Sequence, residues 1–333
     1  MIWLRNKLFD WKIIRSAAFN FPLICVGNLA VGGTGKTPMT EYLIELLKDE
    51  FKTATLSRGY KRKTKGFGIA DNTTSAVEIG DEPMQFHQKY PDITVAVGEE
   101  RLVAIPQILH VKPDTEVIIL DDAFQHRYIR PGFNIVLTEY KNLYTRDFLL
   151  PVGDLRDIKS SIKRAQVIIV SKCSENISVS EKENIIKELS PRNGQSVFFT
   201  KITYGNPYHL YKKDQISLDL NLYVLLISGI ANPKPLKDLL NNTVSTYDMI
   251  KYRDHHIFNT DDLKEIKNSF DRIKTTHKIL LTTEKDAVRL EKFKDELIDY
   301  PIYVIPVRHE FLFDEKYAFD EKVKKFVSIY HTH

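Results

Sequence analysis

The 333-residue chain is poor in cysteine, in long apolar runs and in net charge, and each shortage removes a class of protein. Its two cysteines, Cys25 and Cys173, are far apart and each sits in an apolar, strand-like stretch. Without a C-x-x-C spacing there is no thiolate metal clamp and no disulfide framework, so a reducing, cytosolic compartment is expected. No stretch reaches the roughly 18 consecutive apolar residues of a membrane-spanning helix. Residues 1–20 lack the apolar core and small-residue cleavage site of a signal peptide, and are expected to stay in the mature chain. A formal net charge of +4 is too mild to indicate nucleic acid as a partner. It suits an acidic substrate or an anionic membrane surface. There is no internal repeat and no low-complexity tract, and nothing sets an oligomeric state.

What is present is the composition of a globular protein, 43% hydrophobic and 28% charged, long enough for two domains. Residues 1–20, MIWLRNKLFDWKIIRSAAFN, read as an amphipathic helix with Leu4, Leu8 and Trp11 on one stripe and Ile2, Phe9 and Ile13 on another. Tryptophans beside Arg5 and Lys12 fit an interfacial helix lying at headgroup depth on a membrane. Packing of the same stripes on the chain's own domain fits equally.

From Phe21 onward, short apolar runs alternate with helical stretches, which predicts an α/β fold with a mostly parallel sheet covered by helices. The runs are residues 22–27, 52–57, 94–97, 116–120, 134–138 and 166–171, the first two joined by a helix with Pro38 in its first turn as one βαβ unit. Residues 196–204 and 208–212 follow as an expected strand pair, and a second series at 222–228, 278–282 and 302–307 predicts a smaller α/β domain. The expected division is therefore 21–205 and 206–309, with the active site in the cleft between them. Phe319, Val323, Phe326 and Ile329 space an amphipathic helix in a tail, 310–333, that is expected to return to the first domain.

The segment VGNLAVGGTGKTP (26–38) follows a strand and opens a helix, the context a phosphate loop requires. The strict pattern wants glycine where this chain has Ala30, so only its relaxed form is met. Gly32, Gly33, Thr34 and Gly35 let the backbone N–H groups wrap a phosphate, Lys36 reaches the outer phosphates, and Thr37 is placed to ligate magnesium. EVIILDD (116–122) is a second strand ending in Asp121 and Asp122, where ligands of open α/β sheets bind. Adjacent carboxylates there suit a cation, though a plain turn also tolerates them. The two motifs imply ATP or another nucleoside triphosphate with Mg2+, and do not name the acceptor.

With SRGY (57–60), GDEP (80–83), DDAFQH (121–126), LLPVGDLRD (149–157), RDHHIF (253–258) and TTEKDAVRL (282–290) added in this order, the chain resembles the tetraacyldisaccharide 4′-kinases over about residues 21–306. The resemblance implies a P-loop kinase domain that takes ATP and Mg2+ and phosphorylates a lipid disaccharide at the cytoplasmic face of the inner membrane. It implies Asp81 and His255 as the acid–base pair for the sugar 4′-hydroxyl, Asp121, Asp122 and Asp157 with Thr37 toward magnesium, and Tyr60 and Arg101 toward the nucleotide. Arg58, Gln125 and His126 are implied toward the substrate. The chain departs from the family at Ala123, where glycine is common, at Asp157, where Arg-Glu-Pro is typical, and in a short N-terminal segment.

Each residue also has a structural reading. Asp81 is a good helix N-cap, Thr283 with Asp286 forms a capping box, and residues 61–65 make a solvated basic loop. His255 and His256 alternate across an extended chain, which disfavours a shared metal. The competing functional class is a P-loop GTPase switch or metallochaperone, yet SKCS (171–174) lacks the aspartate that would hold guanine. A nucleotide-binding membrane scaffold is the non-enzymatic alternative.

Overall fold

A computed structural model describes residues 2–331; Met1, Thr332 and His333, at the outer ends of the two expected terminal segments, lie outside the described residues. The chain divides into two units, Met1–Thr203 with Arg308–His333, and Tyr204–Val307. The first unit runs α1 (Ile2–Asp10), β1 (Leu23–Asn28), α2 (Lys36–Leu47), β2 (Thr53–Ser57), β3 (Gly68–Ile69), α3 (Ala76–Ile79), α4 (Asp81–Lys89), β4 (Thr94–Val97), α5 (Arg101–Val111), β5 (Val117–Asp121), β6 (Phe133–Glu139), β7 (Val167–Ser171), α6 (Val179–Leu189) and β8 (Ser196–Tyr204). The second holds β9 (Tyr208–His209), β10 (Tyr223–Ser228), α7 (Lys234–Thr243), β11 (Thr246–Lys251), α8 (Thr260–Arg272), β12 (Lys278–Thr283), α9 (Glu284–Leu290), α10 (Lys294–Leu297) and β13 (Ile302–Ile305). The chain then returns to the first unit with β14 (Val307–Phe311) and α11 (Lys316–Ser328).

The first unit's sheet has nine strands in the order β14-β8-β7-β6-β1-β5-β2-β4-β3. Neighbours from β8 to β4 run parallel, and β3 closes one edge antiparallel. β5 lies between β1 and β2, so the first two strands are not the adjacent pair a simple βαβ unit would give. Every residue of β1 is buried, because both faces of the sheet are covered. Leu23 and Cys25 enter one core, while Ile24 and Val26 enter the other with Met39, Leu43 and Leu47 of α2. Full burial of such side chains is worth about 1.5–3 kcal/mol each, which is why these strands read as unbroken apolar runs. α11 closes the second core with Phe319, Val323 and Val327.

The smaller unit has a five-stranded sheet, β11-β10-β12-β13-β9, parallel except for β9. The expected pairing of residues 196–204 with 208–212 does not form: β8 pairs with β7, and β9 with β13. Among the described residues no helix is long and apolar enough to cross a membrane.

The N-terminal helix ends at Asp10, so Trp11 and Ile13 lie beyond it. Asn6 and Phe9 are its buried residues, while Trp3 (56%), Leu4 (54%), Trp11 (61%) and Ile13 (66%) stay exposed. The two expected stripes are thus split, with Phe9 turned inward and Leu4, Trp11 and Ile13 outward. A polar anchor decides this: Asn6 Nδ2 donates to Asp157 Oδ1 at 2.7 Å, and Arg127 lies over Phe9 while bonding the Asn6 carbonyl at 2.9 Å.

Candidate active site

β1 runs directly into the glycine loop, and α2 starts at Lys36. Gly32 (φ +104°) and Gly35 (φ +90°) occupy the left-handed region that other residues resist. A Cβ built on Gly32 or Gly33 would meet nothing within 4 Å, which leaves that side of the loop clear for a ligand. The opposite side is braced. Asn28 Nδ2 donates to Thr34 Oγ1 (2.9 Å), Ser171 Oγ donates to the Thr34 carbonyl (2.8 Å), and His309 Nε2 lies 2.8 Å from the Gly35 carbonyl. Burial pushes the His309 pKa down to about 4. The neutral ring therefore donates through Nε2–H to Gly35 and accepts at Nδ1 from the Thr200 hydroxyl, 2.9 Å away.

Asp121 ends β5 in register with Val26 of β1, which puts its carboxylate beside the loop. It is buried, with Thr40 Oγ1 at 3.3 Å and Ser57 Oγ at 3.4 Å. Burial, then the charges of Glu82 and Asp122, push its pKa up to about 7. Asp122 behaves oppositely. Burial would raise its pKa, but Lys36 (3.9 Å) and Arg156 outweigh that and hold it below the usual carboxylate range. Arg156 grips both Asp122 oxygens with its fork, Nη1 at 3.1 Å from Oδ2, and extends Nη2 to Asn28 Oδ1 at 2.5 Å. The pair thus presents one neutralised carboxylate and one whose ionisation is suppressed by burial and by like charge. A divalent cation beside Asp121 would relieve that suppression, so this donor set fits Mg2+. Thr37 Oγ1 donates to Glu82 Oε1 at 3.5 Å.

Other implied residues gather at the same ends of the strands. Arg101 opens α5 just after β4; it is buried, donates from Nη1 to the Gly98 (2.8 Å) and Glu99 (3.2 Å) carbonyls, and keeps a buried Nε with no partner. Burial lowers its pKa to about 10 even though Asp121 pulls the other way. Burial, Arg101 and Arg58 bring His126 down to about 4, so it is neutral. Gln125 Nε2 donates to the Asn28 carbonyl at 2.6 Å and so braces the end of β1. Arg58 and Tyr60 follow β2 as exposed side chains, Tyr60 with Lys61 Nζ 5.4 Å from its ring centre.

Asp157 is not with this group. Fully buried, its Oδ1 accepts from Asn6 (2.7 Å) and the Ile158 amide (2.8 Å), and its Oδ2 pairs with Arg164 (3.4 Å). The carboxylate expected toward magnesium serves as the anchor of α1. Its neighbour Arg156 is the residue that reaches Asp122, and sequence reasoning missed it although it stands inside LLPVGDLRD. His309, Asn28 and Ser171 were missed as well, since nothing in their local sequence marks a loop brace. The basic loop 61–65 is not wholly solvated either: Arg62 is tied to Glu99 at 2.6 Å with its side chain 3% exposed.

Asp81 is the first residue of α4, and Gly80 is the N-cap, so the carboxylate is not the capping group. His255 belongs to the smaller unit and has a left-handed φ of +63°. Arg289 Nη2 donates to its Nδ1 at 2.8 Å, and its Nε2 stands 3.2 Å from Lys285 Nζ and 3.9 Å from Asp254. Thr283 caps α9, accepting from the Asp286 amide at 3.2 Å.

A braced glycine loop, a lysine at the helix start and paired aspartates on the neighbouring strand define a P-loop phosphotransferase site. Comparison with known proteins narrows the class. The profile of the tetraacyldisaccharide-1-P 4′-kinase family matches residues 1–328, and the chain belongs to that family. It is 42% identical to the tetraacyldisaccharide 4′-kinase of Bacteroides thetaiotaomicron over 98% of this chain and 90% of that protein. It is 43% identical to that of Phocaeicola vulgatus (98% and 91% covered) and 42% to that of Flavobacterium johnsoniae (97% and 92%). Among solved structures, the "apo" form of LpxK from Aquifex aeolicus in complex with ATP aligns with TM-score 0.73 and 27% identity, covering 99% of this chain and 94% of that one.

Proposed function

We propose that this chain transfers the γ-phosphate of ATP to the 4′-hydroxyl of a tetraacyl-disaccharide 1-phosphate in lipid A biosynthesis. The observation that carries the reading is Lys36, seated between left-handed Gly35 and the Asp122 carboxylate, in a chain the family profile matches from residue 1 to 328. Phosphoryl transfer asks a protein for alignment and for charge aimed at the moving phosphoryl group. The loop amides and Lys36 hold the outer phosphates, and Arg101 adds buried positive charge at the same end of the strands.

Asp121 and Thr37 would hold Mg2+, which would supply neutralising positive charge at the nucleotide phosphates. Asp81 and His255 serve as the acid–base pair that removes the hydroxyl proton. Supporting this is that Asp81 is not an N-cap and that Arg289 orients the His255 ring through Nδ1. The acceptor is held in the bilayer, and the chain works from its cytoplasmic face as a peripheral protein. Exposed Trp3, Leu4, Trp11 and Ile13 support that placement.

The test is incubation with radiolabelled ATP and a monophosphorylated lipid disaccharide. A bisphosphorylated product is expected, none from Lys36→Ala, and wild-type turnover in that variant would refute the assignment. His255→Ala is expected to lower kcat while sparing nucleotide affinity; an equal loss of both would remove it from the acid–base pair.

A further inference from the structure

A cavity of the first unit lies away from the glycine loop. It measures about 510 Å³ and sits where β1, β6 and β7 begin, at the opposite end of the sheet from Lys36. Four of its lining residues are cationic, Arg127, Arg130, Lys163 and Arg164, and none is acidic. Arg127 and Arg164 are committed at both terminal nitrogens, Arg127 to Asp10 (2.8 Å) and the Asn6 carbonyl (2.9 Å), Arg164 to Asp157 (3.4 Å) and the Phe124 carbonyl (2.8 Å). Arg164 retains a buried Nε with no partner. Arg130 and Lys163 are exposed and have no carboxylate partner among the described residues.

With Arg127 and Arg164 already paired to carboxylates, Arg130 and Lys163 leave positive charge at the hollow that an entering anion would offset. The wall of the cavity also includes Ser16, in the stretch that leads from α1 with its exposed Trp3, Trp11 and Ile13. The Ser16 hydroxyl and the Ala17 amide are hydrogen-bonded to the 127–128 backbone. The hollow is therefore fixed to the segment that meets the bilayer in the reading above.

We infer that this cavity is an anion site for the glycerophosphate headgroup of an anionic phospholipid, with Arg130 and Lys163 as its uncommitted phosphate donors. The inference rests on the peripheral-membrane reading, and binding a resident lipid there would set the enzyme's orientation on the bilayer independently of its substrate. Juxtamembrane lysine and arginine contribute roughly fivefold each to association with anionic lipid, so losing both costs roughly 30-fold.

The experiment is co-sedimentation of the full chain with vesicles of phosphatidylcholine alone or with phosphatidylglycerol added. It uses wild type, Arg130→Gln/Lys163→Gln, and a control of equal charge change on exposed lysines, Lys112→Gln/Lys141→Gln. Loss of the phosphatidylglycerol-dependent increment in the cavity variant alone is expected. Circular dichroism and turnover on detergent-dispersed substrate are expected to stay at the wild-type level in both. An unchanged increment, or an equal loss in the control, overturns the inference. Titration with inorganic phosphate separates the two sources of the ligand: phosphate binding lost in the variant while vesicle binding persists would reject a lipid. Wild type that sediments with neither vesicle would instead sink the peripheral reading, which Trp3→Ser/Trp11→Ser on phosphatidylcholine tests separately.

Discussion

Gly35 carries two constraints: a left-handed backbone, and a carbonyl held by His309. A Cβ there would stand 2.9 Å from His309 Nε2, so even alanine would push the brace away. His309→Ala removes the donor to Gly35 and leaves Thr200 without its acceptor, at a cost of about 1–3 kcal/mol. Chemical denaturation is expected to show that loss, with KM for ATP raised about tenfold. His309→Gln, whose amide N–H can reach the same carbonyl, should recover most of the affinity. The sign of the pH effect follows from the depressed pKa. Between pH ~6.5 and ~4 the unfolded chain binds a proton that the buried ring refuses, so stability falls with pH by at most about 1.4 kcal/mol per unit, and no slope arises above that window. The glutamine variant should lose the His309 share of this dependence, while His126, also held down to about 4, keeps its own. Arg156→Ala leaves Lys36 as the cation nearest Asp122 and should reduce kcat on the order of 10²-fold. Arg156→Lys should restore little of it, because an ammonium cannot fork across two oxygens.

At the scale of elements, α1 depends on one amide. Asn6→Leu would strip the buried Asp157 carboxylate of its 2.7 Å donor, at a cost of about 2–3 kcal/mol concentrated locally. Limited proteolysis is expected to cut between residues 10 and 22 sooner than in wild type, with the sheet core still protected. The central strands were legible because burial on both faces writes unbroken apolar runs, as in β1 and β5. Edge strands were not. β11, TYDMIK, alternates exposed with half-buried positions and carries little apolar signal, and two-residue β3 carries none. β8 and β9 were misjudged as partners because a strand's neighbour is chosen across the sheet, not along the sequence. The glycine loop and Asp121–Asp122 were legible because their chemistry is local. Asp157 and Arg156 were not told apart, since which of two adjacent side chains turns toward Asp122 depends on Asn6, some 150 residues away.

For the whole molecule, the smaller unit interrupts the larger one between β8 and β14, and these two strands are neighbours in the nine-stranded sheet. The larger unit is therefore complete only with β14 and α11 in place. Deleting residues 312–333 would uncover the core closed by Phe319, Val323 and Val327. Each large apolar side chain lost from such a core costs about 2–5 kcal/mol. The truncated chain is expected to aggregate or to bind an apolar dye, and a cooperative melt at the wild-type temperature would show that α11 is dispensable.

The His309 brace has a consequence for synthesis. A polypeptide still emerging from the ribosome displays its glycine loop and both aspartates long before the histidine that steadies them is translated. Prematurely terminated products are thereby left with a slack grip on nucleotide, and competence to spend ATP is deferred until the inserted unit has been passed.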